Sequence, residues 1–267
     1  LAERAPIEAL RETAARIASP QVREMATVAG NLCQRNRCWF FRSGFDCYKR
    51  GGPTCPCYAV NGDHRFYHAV AHAHRCQAVT PSDLATTLTA LDATLTISGP
   101  NGRRSVPIGD FFTGPGETVL KRDELLTAVI LPPAACRRPA RFEKLNLWEG
   151  DFAVASACAS LSVADDGTVE DASLVLGAVA PTPLRLERLE RRLVGIRIDA
   201  ADELAALCDS WASQAHPLAR NEWKVDAASA LLRRSIEGCG DAGSPQAALS
   251  GAGIGNGGPP FPRGGEQ

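Results

Sequence analysis

From position 33 to position 80 the chain follows neither the 3.6-residue period of a helix nor the alternation of a strand, yet it holds six of the ten cysteines. A stretch of that length without a regular pattern is either functional or disordered. It contains few aliphatic side chains, so hydrophobic burial is a poor candidate for what orders it. Ligation is the physical alternative. The run reads Cys38-Trp-Phe-Phe-Arg-Ser-Gly-Phe-Asp-Cys47-Tyr-Lys-Arg-Gly-Gly-Pro-Thr-Cys55-Pro-Cys57 and is closed by His74-Arg-Cys76. A disulfide scaffold would spread its pairs through a small secreted domain, whereas this local crowding suits a metal site.

The spacing lacks the paired C-x2-C knuckles of structural zinc and the compact ferredoxin run. Spacing alone leaves buried or incidental thiols about as good a reading as ligands. Arg35, Arg37, Arg42, Lys49 and Arg50 interleave with the thiols, and such cations stabilise the net negative charge of a thiolate-bound iron–sulfur cluster. The expected ligands are Cys38, Cys47, Cys55 and Cys76, with Cys57 a rival for the third position. The histidines His64, His68, His72, His74 and His216 are expected to be solvated or locally hydrogen-bonded. The basic–aromatic run from Arg35 to Arg42 also allows a zinc-stabilised nucleic-acid module, but a net charge of −1 gives no global pull toward nucleic acid or membrane.

Around this excursion the pattern is regular. Ile7, Leu10, Ala14 and Ile17 mark an amphipathic helix over 6–18, and 21–32 reads as a strand running into a tight turn. Ser82 or Asp83 caps a helix bearing Leu84, Leu88 and Leu91 on one face. A hairpin turns at Asn101-Gly102, a short helix spans 108–112, and a strand over 125–131 stops at Pro132-Pro133. The proline-rich 132–139 is the domain boundary. Beyond it the second domain opens with Arg141-Phe-Glu-Lys-Leu, followed by a small-residue stretch at 152–163 that suits strand or helix and a strand at 172–180. Helices are expected over 185–194, 201–214 and 227–236. The whole is α+β. The Gly/Pro/Ser-rich tail 240–267 cannot offset its ordering entropy.

No apolar run approaches the ~20 residues that span a bilayer. The charged opening Leu1-Ala-Glu-Arg-Ala-Pro has no apolar core, so it is not a signal peptide and the expected compartment is the cytoplasm. Export alongside a partner subunit would place the protein in the periplasm instead. Two weaker signals flank the excursion. The turn Thr27-Val-Ala-Gly-Asn-Leu32 offers backbone N–H groups and a hydroxyl to a phosphate, although an ordinary turn explains it as well. Ser82-Asp83 opens a helix and reads equally as a plain cap.

Taken together, Ala26-Thr-Val-Ala-Gly-Asn-Leu32, Arg37-Cys38, Cys47-Tyr-Lys-Arg50, Cys76, Pro81-Ser-Asp-Leu-Ala85, Leu91-Asp-Ala93 and Glu124-Leu-Leu-Thr-Ala-Val-Ile-Leu-Pro-Pro133 resemble the FAD-binding medium subunit of the xanthine dehydrogenase family. More narrowly, they resemble the branch with an added [4Fe–4S] cluster, of the aldehyde oxidoreductase and 4-hydroxybenzoyl-CoA reductase type. Gly177-Ala-Val-Ala-Pro181 and Asn221-Glu-Trp-Lys224 continue the likeness. The resemblance implies a PCMH-type FAD-binding subdomain over 1–133, carrying the iron–sulfur loop 33–80, and a small α+β domain over 138–239. It implies FAD held near Thr27, Gly30, Asn31, Ser82, Asp83, Leu126 and Lys144. It also implies electron transfer from a [2Fe–2S] small subunit, beside a molybdopterin-binding large subunit, to an external acceptor. Relatives carry arginines after the position of Lys144, where this chain has Asn146, Leu147 and Trp148. They also begin with a further N-terminal lobe whose Gly-rich loop wraps the FAD pyrophosphate, and no such loop is present in this sequence. A redox-inactive, partner-binding fragment is therefore a second reading.

Overall fold

The computed structural model describes residues 7–241. Leu1–Pro6 and the expected tail beyond 241 lie outside them. Helix α1 (Glu8–Ala15) buries Ala9, Leu10, Thr13 and Ala14. The segment 21–32, expected as a strand, is helical instead: α2 spans Pro20–Met25 and α3 spans Val28–Leu32. The reason is local. Ser19 accepts the Val22 N–H with Pro20 at the first helical position, and Thr27 caps α3 in the same way. Pro20, just beyond the expected helix over 6–18, starts the next one.

The cysteine-rich excursion contains two single-turn helices, α4 (Trp39–Arg42) and α5 (Tyr48–Gly51), which begin directly after Cys38 and Cys47. Helix α6 (Asp83–Ala90) follows and is buried along its whole length. Strands β1 (Thr94–Gly99) and β2 (Gly102–Pro107) form the expected hairpin; α7 (Ile108–Phe111) follows, then β3 (Phe112–Gly114), β4 (Glu117–Thr118) and β5 (Leu125–Ile130). The first sheet runs β2-β1-β5, all antiparallel, with a bulge at Thr96/Ile97, while β3 and β4 pair separately.

A second antiparallel sheet runs β6 (Ala140–Leu145), β7 (Ala155–Val163), β8 (Val169–Gly177) and β9 (Leu184–Arg185). Helices α8 (Glu187–Leu193), α9 (Ala201–Asp209) and α10 (Trp223–Asp241) complete the fold. The small-residue stretch left open between helix and strand is β7, and it is buried on both faces. Ala155, Ala157, Ala159 and Leu161 enter a core with Leu174, Leu176, Trp211 and Leu232, while Cys158 joins α1, α6 and β1 in a second core. Small residues allow that close stacking. A Cβ at Gly177 would stand 2.1 Å from Thr86 Oγ1 and 2.3 Å from Ser156 Oγ, so α6 lies on this sheet only where residue 177 is glycine. Among the described residues no helix is long and apolar enough to cross a membrane.

Candidate functional site

The two motifs flanking the excursion meet. Thr27 Oγ1 accepts the Gly30 N–H at 2.9 Å, and a Cβ at Gly30 would stand only 3.0 Å from that oxygen. Ser82 Oγ donates to Asn31 Oδ1 at 2.6 Å and accepts the Ala85 N–H at 3.0 Å, capping α6. One side chain therefore ties together positions separated by the whole excursion. Thr27 and Gly30 remain exposed and Asn31 half-buried. Leu126 lies beside them: with Val28, Ala29, Leu84 and Leu88 it lines an apolar groove of about 300 Å³. That volume is at the small end of ligand clefts.

Asp83 and Lys144 are placed differently from the other five positions. Lys144 Nζ donates to Asp83 Oδ2 at 2.8 Å and to the Arg16 carbonyl at 3.0 Å, and both side chains are buried. Burial pushes the Asp83 carboxyl up, against the pull of the Lys144 ammonium. The pair is spent internally, pinning the start of α6 to β6 and the end of α1.

The excursion gathers thiols. Cys38, Cys47, Cys57 and Cys76 line one cavity together with Asn36, Phe40, Tyr48 and Lys49. Cys55, expected as the third ligand, is not among the lining residues. Its Sγ sits 2.6 Å from where a Gly51 Cβ would be, tucked against the α5 turn, while Cys57 faces the cavity. Burial raises the Cys38 thiol, opposed by the backbone N–H groups of Phe41 and Phe40. The Cys76 thiol is raised to about 11, chiefly by burial and further by its neighbours Cys57, Cys38 and Cys47. Among the described residues no three His, Cys, Asp or Glu side chains are placed to hold a single metal ion.

The interleaved cations are mostly used elsewhere. Arg50 lies over the Phe41 ring and Arg37 over Phe152, and of the five basic residues only Lys49 lines the cavity. Phe40, Phe41, Tyr48 and Tyr58 line the thiol cavity, and Trp39 and Phe40 both pack against His68. Two histidines expected to be solvated or locally bonded are buried. His64 bonds the Ala59 carbonyl locally, but also accepts the Arg220 N–H from far along the chain. His68 stands 3.2 Å from Cys38 Sγ, and burial depresses it to about 4.

The two C-terminal motifs clamp this excursion. Lys224 Nζ donates to the carbonyls of Phe66, His68 and Ala178 at 2.8, 2.8 and 3.0 Å, and desolvation lowers it to about 7. Asn221 Nδ2 reaches the Ala69 carbonyl at 3.2 Å. The Val179 carbonyl accepts from the N–H groups of Val70 and Ala71, and the Ala180 carbonyl accepts from Thr80. Ala178 takes φ 58°, a left-handed turn that aims its carbonyl at Lys224. The sequence marked 177–181 and 221–224 but gave them no task.

Known proteins share this fold. Residues 2–134 match the family described as FAD binding domain in molybdopterin dehydrogenase, and residues 140–238 match the CO dehydrogenase flavoprotein C-terminal domain. The aldehyde oxidoreductase FAD-binding subunit PaoB of Escherichia coli is 34% identical over 215 residues, covering 78% of this chain and 64% of that protein. The carbon monoxide dehydrogenase medium chain of Afipia carboxidovorans is 30% identical over 240 residues, covering 89% and 67%. The crystal structure of the cyanide-inactivated Cu,Mo-CO dehydrogenase superimposes with a TM-score of 0.62 at 29% identity, over 90% of this chain and 68% of that one. The chain thus spans about two thirds of the length of the relatives it matches. Two matched domains in order, relatives at this identity and a shared fold make the chain a member of the family of FAD-binding medium subunits of the xanthine and carbon monoxide dehydrogenases.

Proposed function

We propose that this chain is the electron-transfer subunit of a molybdenum hydroxylase, binding FAD on the floor around Thr27–Asn31 and Ser82 and a [4Fe–4S] cluster in the excursion. Its partners are a molybdopterin-binding large subunit and a [2Fe–2S] small subunit, from which electrons pass to an external acceptor. The domain division is at 132–139. The observation that carries the reading is the Ser82–Asn31 hydrogen bond, which joins the two flavin-binding segments into one surface.

Flavin, when bound, supplies the electron-carrying chemistry, and the protein supplies binding and orientation. The exposed Thr27 and Gly30 present the end of a one-turn helix to a cofactor group, and the groove beside Leu126 shields an apolar ring from water. Asp83 and Lys144 act indirectly, by fixing the helix that carries Ser82.

For the cluster, the donor set fits. Cys38, Cys47, Cys57 and Cys76 line one cavity beside Lys49, and four thiolates are the usual ligand set of an iron–sulfur cluster. The ligands we assign are Cys38, Cys47, Cys57 and Cys76.

Anaerobic purification of the full chain should yield a brown protein with about four irons. Cys57→Ser should remove the colour and Cys55→Ser should leave it. Stoichiometric zinc without iron would overturn the cluster assignment. For the flavin, Asn31→Leu should weaken FAD binding at least tenfold, about 1.4 kcal/mol, in a fluorescence titration; unchanged affinity would move the site elsewhere. Co-expression with the two partner subunits should give one complex on size exclusion.

A further inference from the structure

We propose that His68 is a positioning residue that donates its ring N–H to the Cys38 sulfur and so raises the reduction potential of the cluster held there. The inference rests on the cluster reading above. His68 is fully buried, with Nε2 3.2 Å from Cys38 Sγ. Its Nδ1 is also buried and has no hydrogen-bond partner among the described residues. A neutral imidazole carries one proton on one of two nitrogens. Among the described residues the Cys38 sulfur is the one partner either nitrogen has, so the proton is best placed on Nε2.

Ligation removes the remaining ambiguity. A free Cys38 thiol could donate to Nε2, but a thiolate bound to iron has lost its proton and can only accept. The contact then persists only as Nε2–H to sulfur.

Two aromatic rings pack against the imidazole. Trp39 packs edge-on at 5.6 Å between centroids, and Phe40 lies at 6.2 Å. The His68 carbonyl accepts from Lys224, Asn221 holds the Ala69 carbonyl, and residue 68 bridges to Ala78, two positions after Cys76. The C-terminal helix α10 and the loop before it thus set where the donor points.

The electronic consequence has a definite sign. When the cluster takes one electron from a low-potential reductant, no proton moves, and the added negative charge is shared with the thiolates. A hydrogen bond to a thiolate stabilises the more negative state more, so it favours reduction.

The test is a redox titration of the full chain, followed by EPR. His68→Leu should keep iron content and colour, but its reduced-to-oxidised ratio at a fixed potential should fall about tenfold, a shift of 59 mV for one electron. His68→Gln, which restores an amide N–H, should recover a large part of that shift. Should His68→Leu lose its cluster, wild-type protein labelled with ¹⁵N-histidine decides: pulsed EPR of the reduced cluster should show a histidine nitrogen and an exchangeable proton. An unchanged potential in a cluster-loaded His68→Leu variant, or no histidine coupling in the wild type, overturns the inference. Wild-type protein without iron fails at an earlier step and overturns the cluster reading itself.

Discussion

The sheet β6–β9 and the cysteine-rich excursion that lies against it reach order by opposite means. Strands β7 and β8 are buried on both faces, and their stability is distributed over many apolar contacts with α6 and α10. The excursion has two single-turn helices, a set of aromatic edges, and a handful of hydrogen bonds reaching it from 177–181 and 221–224. Order that rests on area falls as a unit. Order that rests on a few directional tethers opens locally, at lower free energy, while the remainder stays folded.

Substitutions ranked by expected effect probe that contrast. Trp211→Ala should cost about 3–5 kcal/mol, because its ring is fully buried in the sheet's core and its Nε1 bonds Ser229 Oγ. Thermal unfolding should shift down as one transition, and amides in both regions should exchange together. Lys224→Met should cost about 3 kcal/mol, leaving the carbonyls of Phe66, His68 and Ala178 without their donor. Here hydrogen exchange should rise first over 64–80 with β7 and β8 still protected. Equal loss in both regions would break the comparison.

Ser82→Ala should cost about 1 kcal/mol as a lost cap on α6. It should also weaken FAD binding, because Asn31 loses its anchor. The smallest effect is expected for Cys57→Ser in metal-free protein, within about 0.5 kcal/mol, since that thiol is only half-buried. Iron-loaded protein should respond to the same change by losing its cluster. A large cost in the metal-free state would show that the excursion depends on thiol packing and not on ligation.

Much of the architecture was legible because it is local. The Asn101-Gly102 hairpin, the Ser82 cap and the strand before Pro132 follow from turn chemistry and period, and they stand where the pattern puts them. Segment 21–32 misled because Val22, Thr27 and Val28 favour strands, while the two caps at Ser19 and Thr27 outweighed them. Cys55 and Cys57 flank a single proline, and spacing does not tell which of them faces inward; the fold turns Cys57 to the cavity and packs Cys55 against Gly51. His68 carried no signal of its own, and Asn221 and Lys224, though part of a marked motif, showed no sign of their task, since each acts on a backbone atom or sulfur far away in sequence. A buried Lys in the 221–224 motif is the one hint a sequence could offer, and burial is not readable there.

The excursion leaves the fold at Asn31 and re-enters it at Ser82, and those two residues share a hydrogen bond. Departure and return are therefore the same place, as at a socket. Closing such a chain costs only ~0.6 kcal/mol for each doubling of its length, so the floor is nearly indifferent to how much polypeptide the socket carries. Extra sequence could be grafted at the exposed Pro53 and Thr54, which do not line the thiol cavity. A small peptide tag or reporter placed there should leave the Asn31–Ser82 bond intact.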